Sequence, residues 1–180
     1  MKKILLFMLL VASPCFAAEF SVHSTSWQDG QTMKDAYVFN SWGCTGNNVS
    51  PQVSWSGAPQ GTKSFAVTIY DPDAPTGSGW WHWTVFNIPP DITQLSQGAG
   101  SGSGNLPGSA VEGRTDMGKS EYGGACPPRG DKPHRYILTV YALKIDKIAL
   151  DKDSSGALVG YYINQNILAK ASLTVKYGRP

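Results

Sequence analysis

The 180-residue chain lacks a marked excess of either charge: 15 Lys and Arg stand against 13 Asp and Glu. Lys2 and Lys3 lie in an opening segment without acids, so residues 18–180 carry 13 of each sign. This balance argues against a nucleic-acid partner, which needs a basic face, although it leaves room for a small local anion site. Long apolar runs are scarce too. The run over residues 4–11 is far shorter than the ~20 residues needed to span a bilayer, and no later segment replaces it, so no transmembrane segment is expected. The chain has no G-x-S-x-G elbow, H-E-x-x-H or C-x-x-C. It has no internal repeat, and cysteine occurs only at Cys15, Cys44 and Cys126.

What is present begins with "MKKILLFMLLVASPCFA". A positive start, a short apolar run and small residues predict a secretory signal peptide over residues 1–17, cleaved after Ala17. Pro14 disfavours a lipid anchor on Cys15. Residues 18–180 fit one domain on length. In an exported protein the remaining pair, Cys44 and Cys126, is expected to form a disulfide, with a stabilising effect of roughly 3–5 kcal/mol for so long a loop.

The pattern is mostly β. Residues 62–71, 80–88 and 134–145 read as strands, the last apolar enough for burial on both faces. Shorter strands are expected at 20–24, 36–39, 52–55 and 173–177. One helix, capped by Asp153 or Ser154 and ending near Ala171, should present Leu158, Tyr161, Tyr162, Gln165, Leu168 and Ala169 on one face. Regular structure fades between residues 94 and 130, which reads as a long functional loop rather than a domain boundary. The expected fold class is mainly β, an antiparallel core with a late helix packed on it.

Three segments can carry chemistry. In "YDPDAPTGSGWWHW", Pro72 and Pro75 hold Asp71 and Asp73 in a rigid turn, with Ala74–Pro75 the best place for a cis peptide. Such a turn is as readily a local cap as one wall of a site. Strand alternation would put Trp81 and Trp83 on one face, and Trp80 and His82 on the other. In "GRTDMGKSEYGGACPPRGDKPHRY", glycine-rich backbone could form an anion-binding nest ahead of His134. In "GCTGNNVSPQVSW", Asn48 opens a formal glycosylation sequon.

Together "DPDAP", "WHWTVFNIP" and "KPHRYILTVYAL" resemble the phosphatidylethanolamine-binding protein family, also called the Raf kinase inhibitor family. "GNNVSPQVSW", "GTKSFAVTIYDPDAP", "GRTDMGKSEYGGACPPRG" and "ILAKASLTVKYGRP" are similar to its bacterial exported branch. The resemblance covers the chain from about Gly43 onward and implies a β-sandwich of a larger and a smaller antiparallel sheet plus helices. It implies a pocket for phosphate, acetate or phosphoethanolamine head groups, lined by Asp71, Asp73, His82, Pro128 and His134, with Tyr122 and Arg114 at the rim. It also implies the periplasm, with release from the cell left open. The segment "TGSGWW" lacks the basic residues of many animal members, so kinase inhibition transfers poorly.

Aspartates beside His82 and His134 are expected to raise imidazole pKa values, so that the rings and the glycine-rich backbone donate to a mono-anionic or zwitterionic ligand. Asp73 would face an ammonium group. The leading expectation is a non-enzymatic periplasmic binding or regulatory protein, without metal or cofactor. One alternative is a protease- or kinase-inhibitor-like interaction module using the loop over residues 94–110 to hold a protein partner. Another is a metal-dependent hydrolase built on Asp71, Asp73, His82 and His134. Monomer and homodimer are both compatible with the sequence.

Overall fold

The computed structural model describes residues 19–102 and 105–180, so the expected signal segment lies outside the described residues. In chain order the strands are β1 (Ser21–His23), β2 (Val53–Ser56), β3 (Ser64–Asp71), β4 (Trp80–Ile88), β5 (Gln94–Leu95), β6 (Val111–Glu112), β7 (His134–Leu143) and β8 (Ile167–Tyr177). Helix α1 (Gly156–Asn166) precedes β8. A small sheet has the order β1-β2-β5 and a large one β6-β4-β3-β7-β8, with every pairing antiparallel. The mainly β sandwich of a larger and a smaller sheet with a late helix is borne out.

Alternation along the strands builds the core. Phe65, Val67 and Ile69 of β3 join Trp55 of β2, Trp83 and Val85 of β4, and Tyr136, Leu138 and Val140 of β7 between the sheets. The opposite face of the large sheet gives Ala66 and Phe86 to a second cluster with Val159 and Ile163 of α1. Each large side chain so buried contributes about 1.5–3 kcal/mol. On β7 one face is fully buried, while Ile137 and Tyr141 on the other are only partly covered.

Three local expectations are corrected. Helix α1 is capped by Ser155, whose Oγ accepts from the Leu158 N–H, and it ends at Asn166 rather than near Ala171. Residues 167–172 instead extend β8, because the β7–β8 ladder continues to Leu143↔Ile167, and the backbone bonds of that ladder outweigh a helical side-chain pattern. The helix also packs with a different face. Gly156, Val159 and Ile163 are buried, whereas Leu158, Tyr161 and Tyr162 are exposed. A Cβ at Gly156 would fall 2.4 Å from the Trp81 ring, so the glycine lets the helix close onto β4. Lastly, residues 36–39 are not a strand. Asp35–Tyr37 form a single 3₁₀ turn, and Val38 then bridges to Ala125.

Candidate functional site

β3 ends where β4 begins, and β7 begins beside that same end, so the large sheet brings Asp71, His82 and His134 together. The register of β3 against β4 slips there. Ile69 faces Trp83 and Tyr70 faces Trp81, leaving His82 as the extra residue of a bulge. Bulges re-aim side chains, and this one breaks the expected alternation. Trp83 enters the core between the sheets, while Trp81 lies under α1 on the other face.

Asp71 is 2% exposed. Its Oδ1 accepts from the Asp73 N–H at 2.8 Å, closing the proline turn, and its Oδ2 lies 2.8 Å from His134 Nδ1. On the far side of the same ring, Nε2 is 3.4 Å from Asp131 Oδ2. His134 is therefore held between two carboxylates from separate segments.

His82 is held differently. Its backbone carbonyl accepts from the Gly123 N–H at 2.8 Å, and its Nδ1 lies 2.7 Å from the Gly123 carbonyl. A carbonyl only accepts, so Nδ1 carries the proton, and Nε2 is left without a hydrogen-bond partner among the described residues. Burial holds the imidazole below its ordinary pKa, outweighing the Gly123 carbonyl and Asp71, which pull the other way. This corrects the expectation that a neighbouring aspartate makes His82 cationic: loss of hydration is the larger effect. His82 thus presents a neutral ring with a lone pair.

The three polar side chains meet in a cavity of about 210 Å³. Its remaining walls are mainly apolar, with Trp42, Trp80, Pro75, Met117, Pro127 and Tyr136 prominent, and Pro128 lines it as the resemblance implied. The Tyr136 hydroxyl is buried without a hydrogen-bond partner among the described residues, and burial pushes its pKa up, so it remains a donor. The expected Cys44–Cys126 disulfide is formed and ties the loop carrying Trp42 to the cavity wall.

Other expected residues lie elsewhere. Asp73 turns out of the cavity to Arg135, whose Nε and Nη2 donate to Asp73 Oδ2 and Oδ1 at 2.9 and 2.7 Å. That guanidinium lowers the Asp73 pKa to about 2. With Asp73 turned away, the four-residue metal set is not assembled, and no group of three or more metal-ligating side chains occurs among the described residues. Tyr122 lies behind the site, its hydroxyl donating to the Tyr37 carbonyl at 2.6 Å. Arg114 points away, its Nε donating to the Asp153 carbonyl at 3.1 Å.

The glycine nest does not form either. The N–H groups of Gly113, Gly118, Gly123, Gly124 and Gly130 all donate to acceptors within the chain. At Gly124 the acceptor is Asn48 Oδ1, while Asn48 Nδ2 donates to the Tyr122 carbonyl, so the sequon side chain is already engaged. No peptide bond among the described residues is cis, so Ala74–Pro75 is trans.

Sequence reasoning missed Asp131, Trp42, Met117 and Tyr136. Only Trp42 carried a local signal: a large aromatic between Ser41 and Gly43.

A family model described as Phosphatidylethanolamine-binding protein matches residues 23–178. Among curated relatives, the UPF0098 protein YbcL of Escherichia coli K12 is 56% identical over 162 residues, covering 89% of this chain and 88% of its own. The UPF0098 protein YbhB of the same organism is 50% identical over 154 residues, covering 86% of this chain and 97% of its own. The crystal structure of E. coli YbcL, described as a new member of the mammalian PEBP family, superimposes with a TM-score of 0.88 at 55% identity, covering 91% of this chain and all of that one. The chain belongs to the phosphatidylethanolamine-binding protein family.

Proposed function

We propose that this is an exported, non-enzymatic binding protein whose cavity takes a small acid as its monoanion, of the phosphate or phosphoethanolamine head-group type. The observation that carries the reading is the convergence of Asp71, His82 and His134 in an otherwise largely apolar cavity of about 210 Å³. Most lining of a small-ligand site is apolar, and a few fixed polar groups set the ligand's orientation. Here Asp71 and His82 are pre-positioned by partners outside the cavity, and His134 by Asp71.

The charge pattern selects the ligand. The Asp71 carboxylate repels a dianion. A monoanion that still carries a proton can donate it toward His82 Nε2. Uptake of the acid is in effect uptake of an anion and a proton together.

A binding role without turnover fits the hydroxyls of the site. Thr76 lines the cavity, but its Oγ1 donates to the Gly79 carbonyl and accepts from the Ser78 N–H, so no base activates it. Export to the periplasm is supported by the layout of residues 1–17 and by the disulfide, which persists in oxidising compartments.

Isothermal titration of the purified protein with O-phosphoethanolamine, inorganic phosphate and acetate at about pH 6 tests this reading. Binding by the parent and its loss in a folded His82→Phe variant are expected. A parent that binds none of the three would overturn it.

A further inference from the structure

We propose that a second, larger cavity beside the acid pocket is a subsite for an uncharged polyhydroxyl group, of sugar or polyol type, with Trp42 as its aromatic platform. The cavity has a volume of about 410 Å³ and lies between the segments 39–49 and 115–123. It shares two walls, Trp42 and Met117, with the acid pocket, so one ligand can reach both.

Trp42 is unusual on two independent counts. It is 58% exposed, although aromatic rings normally bury most of their surface. Its backbone also sits at φ 53°, in the left-handed region that bulky side chains avoid. The surroundings maintain both features. The ring meets Phe39 and Trp80 edge-on, with centroids 5.1 and 6.2 Å apart. Arg179 Nη1 donates to the next carbonyl, that of Gly43, at 3.2 Å, and Cys44 is fixed by the disulfide. Strained backbone that its neighbours over-determine tends to mark a ligand contact.

The rest of the lining sets the ligand class. Asn40, Ser41 and Asn47 bring side-chain donors and acceptors that make no hydrogen bond among the described residues. The lining charges, Lys119 and Glu121, pair with each other at 3.3 Å and cancel. A net ion therefore gains little here, and an acyl chain would strand the amides. A ring of hydroxyls suits both parts: each hydroxyl donates and accepts, while the C–H face covers the indole.

The subsite stands on its own lining. It rests on the acid-binding reading only for the further step that a phosphorylated sugar would occupy both cavities. The test is an NMR titration of the full protein, following the Trp42, Asn47 and His82 side-chain signals, with glucose, inorganic phosphate and glucose 6-phosphate as probes. Glucose should move Trp42 and Asn47, and glucose 6-phosphate should bind about tenfold or more tightly than glucose. Asn47→Ala, which removes an exposed side chain with no internal hydrogen bond, and Trp42→Ala should each weaken glucose 6-phosphate by about tenfold. If only glucose 6-phosphate moves Asn47, the subsite stands with the acid as its anchor. If neither sugar moves Asn47 up to roughly 50 mM while phosphate moves His82, the subsite is overturned and the acid pocket stands. If phosphate fails to move His82 but glucose moves Asn47, the acid pocket fails and the subsite stands.

Discussion

Asp71 and His134 are 63 positions apart in the chain, yet their side chains meet at 2.8 Å with both buried. The same carboxylate closes the proline turn through the Asp73 N–H, so one residue ties β3, the turn and β7 together at the floor of the site.

Asp71→Ala should therefore destabilise the fold itself. It strands a buried ring N–H and a turn N–H, which together cost about 3 kcal/mol. Urea denaturation of parent and variant measures this. A loss below about 1 kcal/mol would show that the pair is incidental to stability.

Ligand affinity should fall as pH rises. Burial favours the neutral His82 ring, so a bound monoanion must bring or recruit a proton. Above the pKa values of the free ring and the free ligand, each pH unit should cost about tenfold in affinity. Titrations with O-phosphoethanolamine at about pH 8, in buffers of different ionisation enthalpy, should report uptake of about one proton per ligand. Equal affinity at about pH 6 and about pH 8 would contradict the proton-linked model.

Glu112 makes stability pH-dependent in a separate place. Burial raises its pKa from 4.5 to about 7, with the hydrogen bond from Trp83 Nε1 opposing the shift. The folded state thus holds a proton that the unfolded chain gives up, so this group's contribution declines as pH rises from about 4.5 to about 7. Glu112→Gln keeps an acceptor for Trp83 and removes the charge. Its melting temperature should exceed the parent's at about pH 8, and the gap should close toward about pH 5. A gap independent of pH would contradict this assignment.

The Cys44–Cys126 bridge spans a sequence separation of 82. Replacing both cysteines by alanine should destabilise by about 4 kcal/mol if loop-closure entropy dominates. It should also release the Trp42 segment, which hydrogen exchange at residues 41–46 would report.

Much of the fold was legible from short-range pattern. The alternation of Phe65, Val67 and Ile69 marks β3, and "WWHWTVFNI" gives β4 end to end. The errors share a cause. Leu168 and Ala169 fit a helical stripe, but pairing with β7 holds them in a strand. Leu158, Tyr161 and Tyr162 fit an apolar face, yet the glycine at 156 decides which side meets Trp81. Periodicity reports that a face exists; it cannot say what a distant element will place against it.

The site divides in the same way. By itself the sequence determined the strands, the rigid proline turn, the disulfide partners and the family motifs, because those depend on residue type and local spacing. The three-dimensional fold decided which of the motif residues share the cavity. It sent Asp73 to Arg135 rather than into the cavity, and added Asp131 behind His134. It set His82 in a bulge with its proton fixed by Gly123 and its charge suppressed by burial. Hydrogen-bond partners and hydration depend on residues brought together from distant parts of the chain, and no local pattern encodes them.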